Sequence, residues 1–178
     1  FITNDLNEAL KLGDQIAMMR DGEIIQLASP EQIVRNPADS YVRSFVRDVS
    51  PAKVLVAGTI MDKIDVQMDL TQTVETAMNS MLAVEVEHGF ATGSDGKLIG
   101  LVTLKALRDA HDRGITSIDG LIDENSPRVL ANTVVEDLVS TAANYDFPIA
   151  VVDDQGNIKG EVRRTAVLTS LAPTVAPN

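Results

Sequence analysis

Two adjacent arginines, Arg163 and Arg164, stand where a predicted strand gives way to a predicted helix. The free N–H groups and the dipole of a helix start attract anions, and guanidinium groups bind phosphate oxygens well. The pair therefore indicates a candidate anion site, to which Arg128 and Lys159 could add positive charge. The sequence equally allows a solvent-exposed pair that is partly neutralised by Glu161, and both interpretations stay open here.

The stretch that holds this pair is the second copy of a repeat with an offset of 60 residues. Identical residues recur at this single offset without a gap, and seven of the pairs cluster at a helix start and along a strand. Such clustering predicts two copies of one structural unit, which we place at 56–115 and 116–172. These seven pairs are Leu70/Leu130, Thr73/Thr133, Val74/Val134, Gly96/Gly156, Gly100/Gly160, Val102/Val162 and Ala106/Ala166.

Each copy has the same predicted plan of helix, strand, turn, strand and helix. Apolar residues recur at helical spacing after Thr73 and after Thr133, so each Thr is predicted to cap an amphipathic helix. Asp/Gly turns then separate the two strands of each copy. The clearest predicted strands are 97–103, 148–152 and 157–163, and the closing helices are 105–112 and 165–171.

Residues 1–50 are predicted to form a separate mixed segment of helices and one hairpin. Asp5 and Ser40 are predicted helix caps, and Asp21-Gly22 is a strong hairpin turn signal. The predicted helices run from Asp5 to Leu12, from Ser29 to Asn36 and from Ser40 to Asp48, with strands at 15–19 and 23–27. The Pro-rich residues 173–178 are predicted to be a frayed tail.

Charge and composition disfavour several classes of function. The chain carries a net charge of −11, and residues 56–178 alone contribute −9, from 9 Lys/Arg and 18 Asp/Glu. An acidic surface repels nucleic-acid phosphates and anionic lipids, so we expect no nucleic-acid partner and no direct membrane contact. There is no Cys, and His88 and His111 lack ligand partners at metal-site spacing, so no metal site is predicted. His88, which follows two glutamates closely, is predicted to be exposed.

The repeat resembles a tandem pair of cystathionine-β-synthase (CBS) domains, also called a Bateman module. The resemblance rests on SDGKLIGLVT at 94–103 and on VVDDQGNIKGEVR at 151–163, where Arg163 replaces the usual Ser or Thr. It implies an α+β fold in which the CBS pair follows a short mixed α/β segment.

Residues 1–50 resemble the C-terminal end of an ABC transporter ATPase domain. The matching stretches, in order, are FITNDLNEAL, GDQIAMMRDGEIIQLASPEQI and NPADSYVRSFV. Together the two blocks resemble the ATP-binding subunit of an osmoprotectant ABC importer for glycine betaine, proline or choline. This resemblance implies a cytoplasmic protein, peripheral at the inner face of the cell membrane, that binds a transporter membrane subunit and forms a homodimer through its CBS domains.

The resemblance also bears on catalysis, because two parts of the ATPase site do not occur in the sequence. The Gly-rich phosphate-binding loop with its Lys is absent, and so is the acidic strand that supplies the Mg²⁺ ligand and the base. We therefore expect no catalytic residue, no cofactor and no ATP hydrolysis in this stretch, and we interpret it as a fragment of a transport ATPase that uses ATP and Mg²⁺. The family's switch His falls on Asn4, whose neutral amide cannot take up a proton.

The family resemblance further implies a possible ligand. Clefts between CBS repeats can hold adenosine nucleotides, with a strand-end Ser or Thr at the phosphate and an Asp three residues later at the ribose. Thr103 keeps the first position, where capping the next helix is the simpler role, whereas Ala106 and Ala166 occupy both Asp positions. This departure argues against a standard AMP or ATP site. Thr103, Arg163 and Arg164 remain candidates for binding an adenine nucleotide or a cyclic dinucleotide.

The predicted function is the regulation of an osmoprotectant importer. The CBS module would sense ionic strength or a nucleotide such as cyclic di-AMP and thereby control transport. The alternative is a structural dimerisation clamp that holds two ATPase subunits together and binds no ligand. The missing Asp positions favour the clamp, and the arginine pair favours a ligand.

Overall fold

The structure is a computed structural model that describes residues 1–172. The prediction of a separate tail at 173–178 lies outside these residues. The described chain contains an N-terminal two-stranded sheet with its helices, followed by two three-stranded sheets, one for each copy of the repeat. This architecture agrees with the predicted fold class, a repeated α+β unit preceded by a short mixed segment.

The N-terminal segment packs three short helices around a hairpin. Its elements are α1 Leu6–Leu12, β1 Ile16–Arg20, β2 Glu23–Ala28, α2 Pro30–Arg35 and α3 Ser40–Val46. Asp5 caps α1 by accepting hydrogen bonds from two backbone amides, and the Asp21-Gly22 turn joins the strands with both residues at positive φ. The predicted cap Ser40 is wrong, because Asp39 accepts the capping hydrogen bond from the amide three residues on, at 2.9 Å.

Each copy of the repeat forms a sheet with one parallel and one antiparallel pairing. The first copy contains α4 Ala57–Ile60, β3 Gln67–Asp69, α5 Val74–Ala83, β4 His88–Thr92, β5 Leu98–Thr103 and α6 Leu104–Asp112; the second contains β6 Arg128–Leu130, α7 Val135–Asn144, β7 Ile149–Val152, β8 Ile158–Val162 and α8 Arg164–Leu171. The antiparallel registers match at the offset of 60, since Phe90 pairs with Leu101 and Ala150 pairs with Glu161. The sequence repeat is therefore also a structural repeat.

The main helix starts differ between the two copies. Thr73 caps α5 as predicted, because its side-chain oxygen accepts a hydrogen bond from the amide three residues on. The matching prediction for Thr133 is wrong: Val134 is the N-cap of α7, and no side chain within residues 1–172 caps this helix. Glu136 and Asp137 in the first turn of α7 partly offset the missing cap, since negative charge is favourable at a helix start.

The leading segment of each copy packs into the core of the other copy. Apolar residues of 52–61 lie in the core of the second copy, together with residues of α7, β7 and β8. Apolar residues of 118–122 lie in the core of the first copy. The predicted boundaries at 56 and 116 follow the repeat in the sequence, whereas the packing exchanges the two leading segments.

Two glycines allow the exchanged segments to lie directly against the strands. A Cβ at Gly100 would lie 2.3 Å from the carbonyl oxygen of Asp123, and a Cβ at Gly160 would lie 2.6 Å from that of Asp62. Both distances are far below the normal separation of nonbonded atoms. The identity of these two glycines at the offset of 60 is therefore explained by the close approach of backbone to backbone.

An apolar core joins the two sheets, and a short 3-10 helix, Pro51–Lys53, joins them to the N-terminal segment. The buried residues of the inter-sheet core are Phe90, Leu98, Leu101, Ala150 and Val152. The hydroxyl of Ser50 donates to the carbonyl oxygen of Ser170 near the end of α8, at 3.3 Å. Lys53 Nζ donates to Asn7 Oδ1 in α1, at 3.0 Å. The connection therefore contacts both parts of the molecule.

Candidate functional site

The two strand ends that carry the candidate residues use their side chains differently. Thr103, at the end of β5, caps α6, because its Oγ1 accepts a hydrogen bond from the Ala106 amide at 3.1 Å. A further role of Thr103 in ligand binding stays a prediction. At the matching place in the second copy, Arg163 is the N-cap residue of α8, and its side chain reaches across to the first copy.

Arg163 interacts with three carboxylates. Its Nε donates to Glu161 Oε1 at 3.0 Å, and its Nη2 donates to Asp65 Oδ2 at 2.9 Å. The same Nε lies 3.8 Å from Asp62 Oδ2. Glu161 belongs to β8, whereas both aspartates precede β3, so the guanidinium joins the two copies of the repeat. The Arg163 side chain is 46% exposed, so solvent and salt can reach it.

Glu161 also contacts a histidine of the first copy. His88 Nε2 lies 2.8 Å from Glu161 Oε2, and the exposed fractions of the two side chains are 12% and 0%. The prediction that His88 is exposed is wrong, because β4 places it between the sheets, near the rings of Phe90 and Phe147. We call the following set the inter-repeat charge cluster: Asp62, Asp65, His88, Glu161 and Arg163.

The buried carboxyl of Glu161 is held in its charged form. Burial raises the pKa of this group, but hydrogen bonds and charges from His88 and Arg163 outweigh burial and lower the pKa below its ordinary value. Three carboxylates and one guanidinium leave the cluster with two net negative charges, or one when His88 is protonated. The cluster can therefore accept a proton without becoming positive.

Arg164 has a separate set of partners. Its Nη2 donates to the carbonyl oxygen of Tyr145 at 2.8 Å and to Asp146 Oδ1 at 3.3 Å. Burial, followed by the charge of Asp123 and a hydrogen bond to it, raises the pKa of Tyr145 to about 12, so this phenol stays neutral. Arg163 and Arg164 thus contact different oxygen atoms, and a shared anion site stays a prediction.

The two other basic residues that could add to the arginine pair also have partners of their own. Arg128 donates to three backbone carbonyls, among them those of Leu98 and Glu124, and so ties β6 to β5. Lys159 Nζ lies 3.0 Å from Asp153 Oδ2. Both cations therefore already have oxygen partners within the two three-stranded sheets.

Asn4, at the predicted switch position, lies in a groove of the N-terminal segment. The groove has a volume of about 720 Å³, and the exposed apolar residues on its walls include Phe1, Leu12, Met19 and Phe45. Asn4 is itself exposed. Its role toward a nucleotide phosphate stays a prediction.

Neither a metal-binding cluster nor a membrane-spanning helix is found within residues 1–172. No group of three or more His, Cys, Asp or Glu side chains in this range is arranged to hold a metal ion. No helix in the same range is both long enough and apolar enough to span a bilayer.

The structure therefore brings together opposite charges across an interface between two repeats. The exposed ion pairs of such a cluster weaken when salt screens them. Sequence analysis missed the contact of His88 with Glu161, because the two residues are 73 positions apart. One signal was available: Glu161 stands where the first copy has Leu101, and a charged residue in place of a buried apolar one marks a difference between the copies.

Comparison with known proteins finds relatives that match almost the whole chain. No protein-family model matches the chain. The glycine betaine transport ATP-binding protein OpuAA of Bacillus subtilis (strain 168) is 35% identical over 173 residues, which are 97% of this chain and 41% of that protein. The chain is a homologue of osmoprotectant ABC importer ATP-binding subunits. The match covers both the N-terminal segment and the repeat, so the resemblance predicted from the sequence is confirmed.

Solved structures establish the fold of the repeat. Staphylococcus aureus OpuCA matches with a TM-score of 0.56 at 21% identity, over 61% of this chain and 92% of that chain. CBSX2 in complex with AMP matches with a TM-score of 0.58 at 18% identity, over 65% of this chain and 95% of that chain. The fold is that of a CBS domain pair, as predicted. The chain spans less than half the length of the OpuAA relative, so the activity and partners of a whole subunit are treated below as proposals.

Proposed function

We propose that this chain is the regulatory part of the ATP-binding subunit of an osmoprotectant ABC importer, and that its CBS pair senses ionic strength and controls transport. The observation that carries the proposal is the 35% identity to OpuAA across 97% of the chain. In this proposal the whole subunit binds ATP and Mg²⁺ and associates with a transporter membrane subunit. It lies in the cytoplasm, peripherally at the inner face of the cell membrane.

A direct connection between the CBS pair and the N-terminal segment supports a regulatory role. The 3-10 helix Pro51–Lys53 packs against α2 on one side and against α7 and α8 on the other. Ser50 contacts the last turn of α8, and Arg163 of the charge cluster precedes its first turn. A rearrangement of the cluster would therefore move α8 and, through this connection, the N-terminal segment.

Dissolved ions can screen the exposed ion pairs of the charge cluster. The side chains of Arg163, Asp62 and Asp65 are 46%, 55% and 41% exposed, so counterions can reach these ion pairs. The screening length falls from about 10 Å at 0.1 M salt to about 3 Å at 1 M, which weakens exposed attraction more than buried attraction. The contact of His88 with Glu161 is buried and would persist. The cluster therefore supports a salt-sensitive interface between the repeats, with no lipid surface required.

The salt dependence of the free energy of unfolding tests this proposal. Arg163→Gln removes the guanidinium, and Arg35→Gln is a matched control that removes an exposed ion pair with Glu31, within α2. An exposed ion pair contributes up to about 1 kcal/mol, so we expect Arg163→Gln to lose about that much more stability at about 0.05 M KCl than at about 0.5 M. Urea denaturation over a KCl series measures the difference. A loss that does not change with KCl would exclude sensing through Arg163.

The regulatory consequence is measured in an importer assembled from the whole subunit and its membrane partner. We expect ATP hydrolysis to respond to ionic strength in the wild type and in Arg35→Gln, and to respond less in Arg163→Gln. Equal responses in all three would show that the cluster does not control the ATPase.

A nucleotide sensor is a second candidate, and the observation that favours it is the similarity to CBSX2, solved with AMP. In this candidate Thr103, Arg163 and Arg164 bind an adenine nucleotide or cyclic di-AMP, and Arg163 leaves its carboxylates to do so. A thermal-shift series with ATP, AMP and cyclic di-AMP tests it, since a ligand at 100 times its Kd stabilises the folded state by about 2.7 kcal/mol. A shift that disappears in Arg163→Ala and Arg164→Ala supports the sensor. No shift with any of the three excludes these ligands.

The dimerisation clamp remains the structural alternative, and it is favoured by exposed apolar residues on two helices of the CBS pair. Leu82 and Val84 are exposed at the end of α5, and Leu168 and Leu171 are exposed on α8. Exposed apolar patches mark interaction surfaces. A homodimer through these helices predicts that Leu168→Glu shifts the sedimentation equilibrium of the chain toward the monomer. An unchanged equilibrium would remove this surface from the proposed dimer.

A further inference from the structure

We propose that the inter-repeat charge cluster is a proton-operated latch, in which protonation of His88 tightens its contact with Glu161 and loss of that proton loosens the two CBS domains from each other. The consequence for transport rests on the function proposed above, but the latch itself is a property of the described chain. It would add pH to ionic strength as a signal that acts on the same interface.

The geometry of the contact supports such a latch. His88 Nε2 lies 2.8 Å from Glu161 Oε2, and the two residues belong to different sheets, β4 and β8. A neutral imidazole can donate one hydrogen bond to this oxygen, whereas an imidazolium donates the same bond with a full positive charge. Because Glu161 is ionised, both bonds are charge-assisted, and protonation adds Coulomb attraction to the same 2.8 Å contact. Because Glu161 is fully buried, water cannot readily replace the histidine.

The charged groups around His88 carry a net negative charge. They are Glu161 and Arg163 from β8 and the start of α8, Asp62 and Asp65 from the segment before β3, and the exposed Glu87 next to it in the sequence. The cluster alone carries two net negative charges when the imidazole is neutral. Protonation reduces this excess to one and adds attraction across the interface.

The carboxylate of Glu161 stays charged above the ordinary carboxyl range. The lowered pKa of Glu161 means that its contribution to stability is present above the ordinary carboxyl range and is lost only when the pH falls below that range. Histidine ordinarily titrates near about 6.5. Among the residue types of the cluster, histidine is the one whose ordinary pKa lies between about pH 5.5 and about pH 8.

The latch is confined to one of the two equivalent sides of the CBS pair. The strand registers give three of the five cluster residues, His88, Glu161 and Arg163, uncharged equivalents on the other side. These equivalents are Pro148, Leu101 and Thr103, whereas the equivalent of Asp62 is Asp123, which pairs with Leu101 as Asp62 pairs with Glu161. A pH effect that arises from the latch must therefore depend on the side that contains Glu161.

The first experiment measures the unfolding equilibrium of the 178-residue chain between about pH 5.5 and about pH 8. His88→Gln keeps a side chain that can donate a hydrogen bond but cannot be protonated, and His111→Gln is the control at an exposed histidine. We expect the ratio of the unfolding constants of His88→Gln and wild type to rise about tenfold from pH 8 to pH 5.5, which corresponds to about 1.4 kcal/mol. The same ratio for His111→Gln should stay nearly constant. A constant ratio for His88→Gln would overturn the latch.

A second measurement separates a latch from a merely stabilising contact. In an NMR titration of the wild type, the backbone amides of β8 and of Arg163 should follow the titration of the His88 ring, although they belong to the other copy. In Glu161→Gln these amides should stop following it. Amides that follow the ring in both proteins, or in neither, would overturn the proposal. The His111 ring serves as the internal reference.

The outcomes keep the latch and the proposed function apart. The latch would be rejected if the ratio of unfolding constants for His88→Gln and wild type did not change with pH. If the stability loss in Arg163→Gln still depended on salt, ionic-strength sensing would remain intact. The latch would be established if the ratio of unfolding constants rose tenfold from pH 8 to pH 5.5. If the ATP hydrolysis of the importer responded to ionic strength equally with and without Arg163→Gln, the use of the latch in transport control would be rejected.

Discussion

The two equivalent sides of the CBS pair solve the same packing problem with opposite chemistry. On one side Leu101, 1% exposed, fills the inter-sheet core. On the other side the matching residue is Glu161, equally buried but paired with His88 and Arg163. An apolar contact is nearly indifferent to pH and salt, whereas a charged contact responds to both. The pair therefore has one side whose contact is apolar and one side whose contact depends on charge.

The largest expected effect comes from placing the charge on the apolar side. Leu101→Glu buries a carboxylate among apolar residues without the partners that Glu161 has on its own side. An uncompensated buried charge costs about 3–5 kcal/mol, so we expect that loss in the free energy of unfolding. Urea denaturation measures it, with Leu130→Glu at an exposed position as control. Equal stability of Leu101→Glu and Leu130→Glu would show that the apolar side tolerates a buried carboxylate as well as an exposed position does.

A smaller effect, similar on both sides, is expected from the glycines that admit the exchanged segments. Gly100→Ala and Gly160→Ala would each press a methyl group against a backbone carbonyl, which cannot move as a side chain can. Overpacking of this kind costs about 1–3 kcal/mol. Thermal and urea unfolding should show that loss for both variants.

The control for these two variants is Gly120→Ala, whose new methyl group would meet no described atom of residues 1–172 within 4 Å. A surface change of this kind should alter stability by less than about 0.5 kcal/mol. If Gly160→Ala behaved like Gly120→Ala, the close approach on the charged side would not be needed for folding.

The smallest expected effect concerns the helix starts. Thr103→Ala removes the hydrogen bond to the α6 amide and should cost about 1 kcal/mol, whereas Thr133→Ala removes no cap and should cost less than about 0.5 kcal/mol. Urea denaturation resolves this difference. A Thr103→Ala variant that keeps full stability but loses a nucleotide-induced thermal shift would instead assign Thr103 to a ligand.

Local signals in the sequence were sufficient for much of the fold. The Asp21-Gly22 turn, the Asp5 cap and the two copies of the repeat each depend on residues close together in the chain or on an exact offset, and all are present in the structure. The short strands were harder to predict from the sequence, because β3 and β6 contain only three residues each and show little periodicity. Their place is decided by the neighbouring strands with which they pair.

The candidate site was less accessible to sequence analysis. The positions of Arg163 and Thr103 at strand ends were recognisable, but the direction of the Arg163 side chain depends on Asp65, which lies 98 positions away. The glutamates near His88 in the sequence pointed to solvent exposure, whereas strand β4 carries the ring into the interface. Contacts between the two copies are set by the exchange of leading segments, and a repeat in sequence alone does not reveal that exchange.

That exchange has a consequence for how such a molecule can originate. A single copy on its own would lack the leading segment that completes its core, and its own leading segment would have no core to pack against. Two identical copies could complete each other by exchanging these segments as a domain-swapped dimer. Joining them in one chain makes the swap intramolecular and independent of protein concentration. Each half can then change its sequence independently, so that Glu161 can occur in one half while the equivalent position of the other half keeps Leu101.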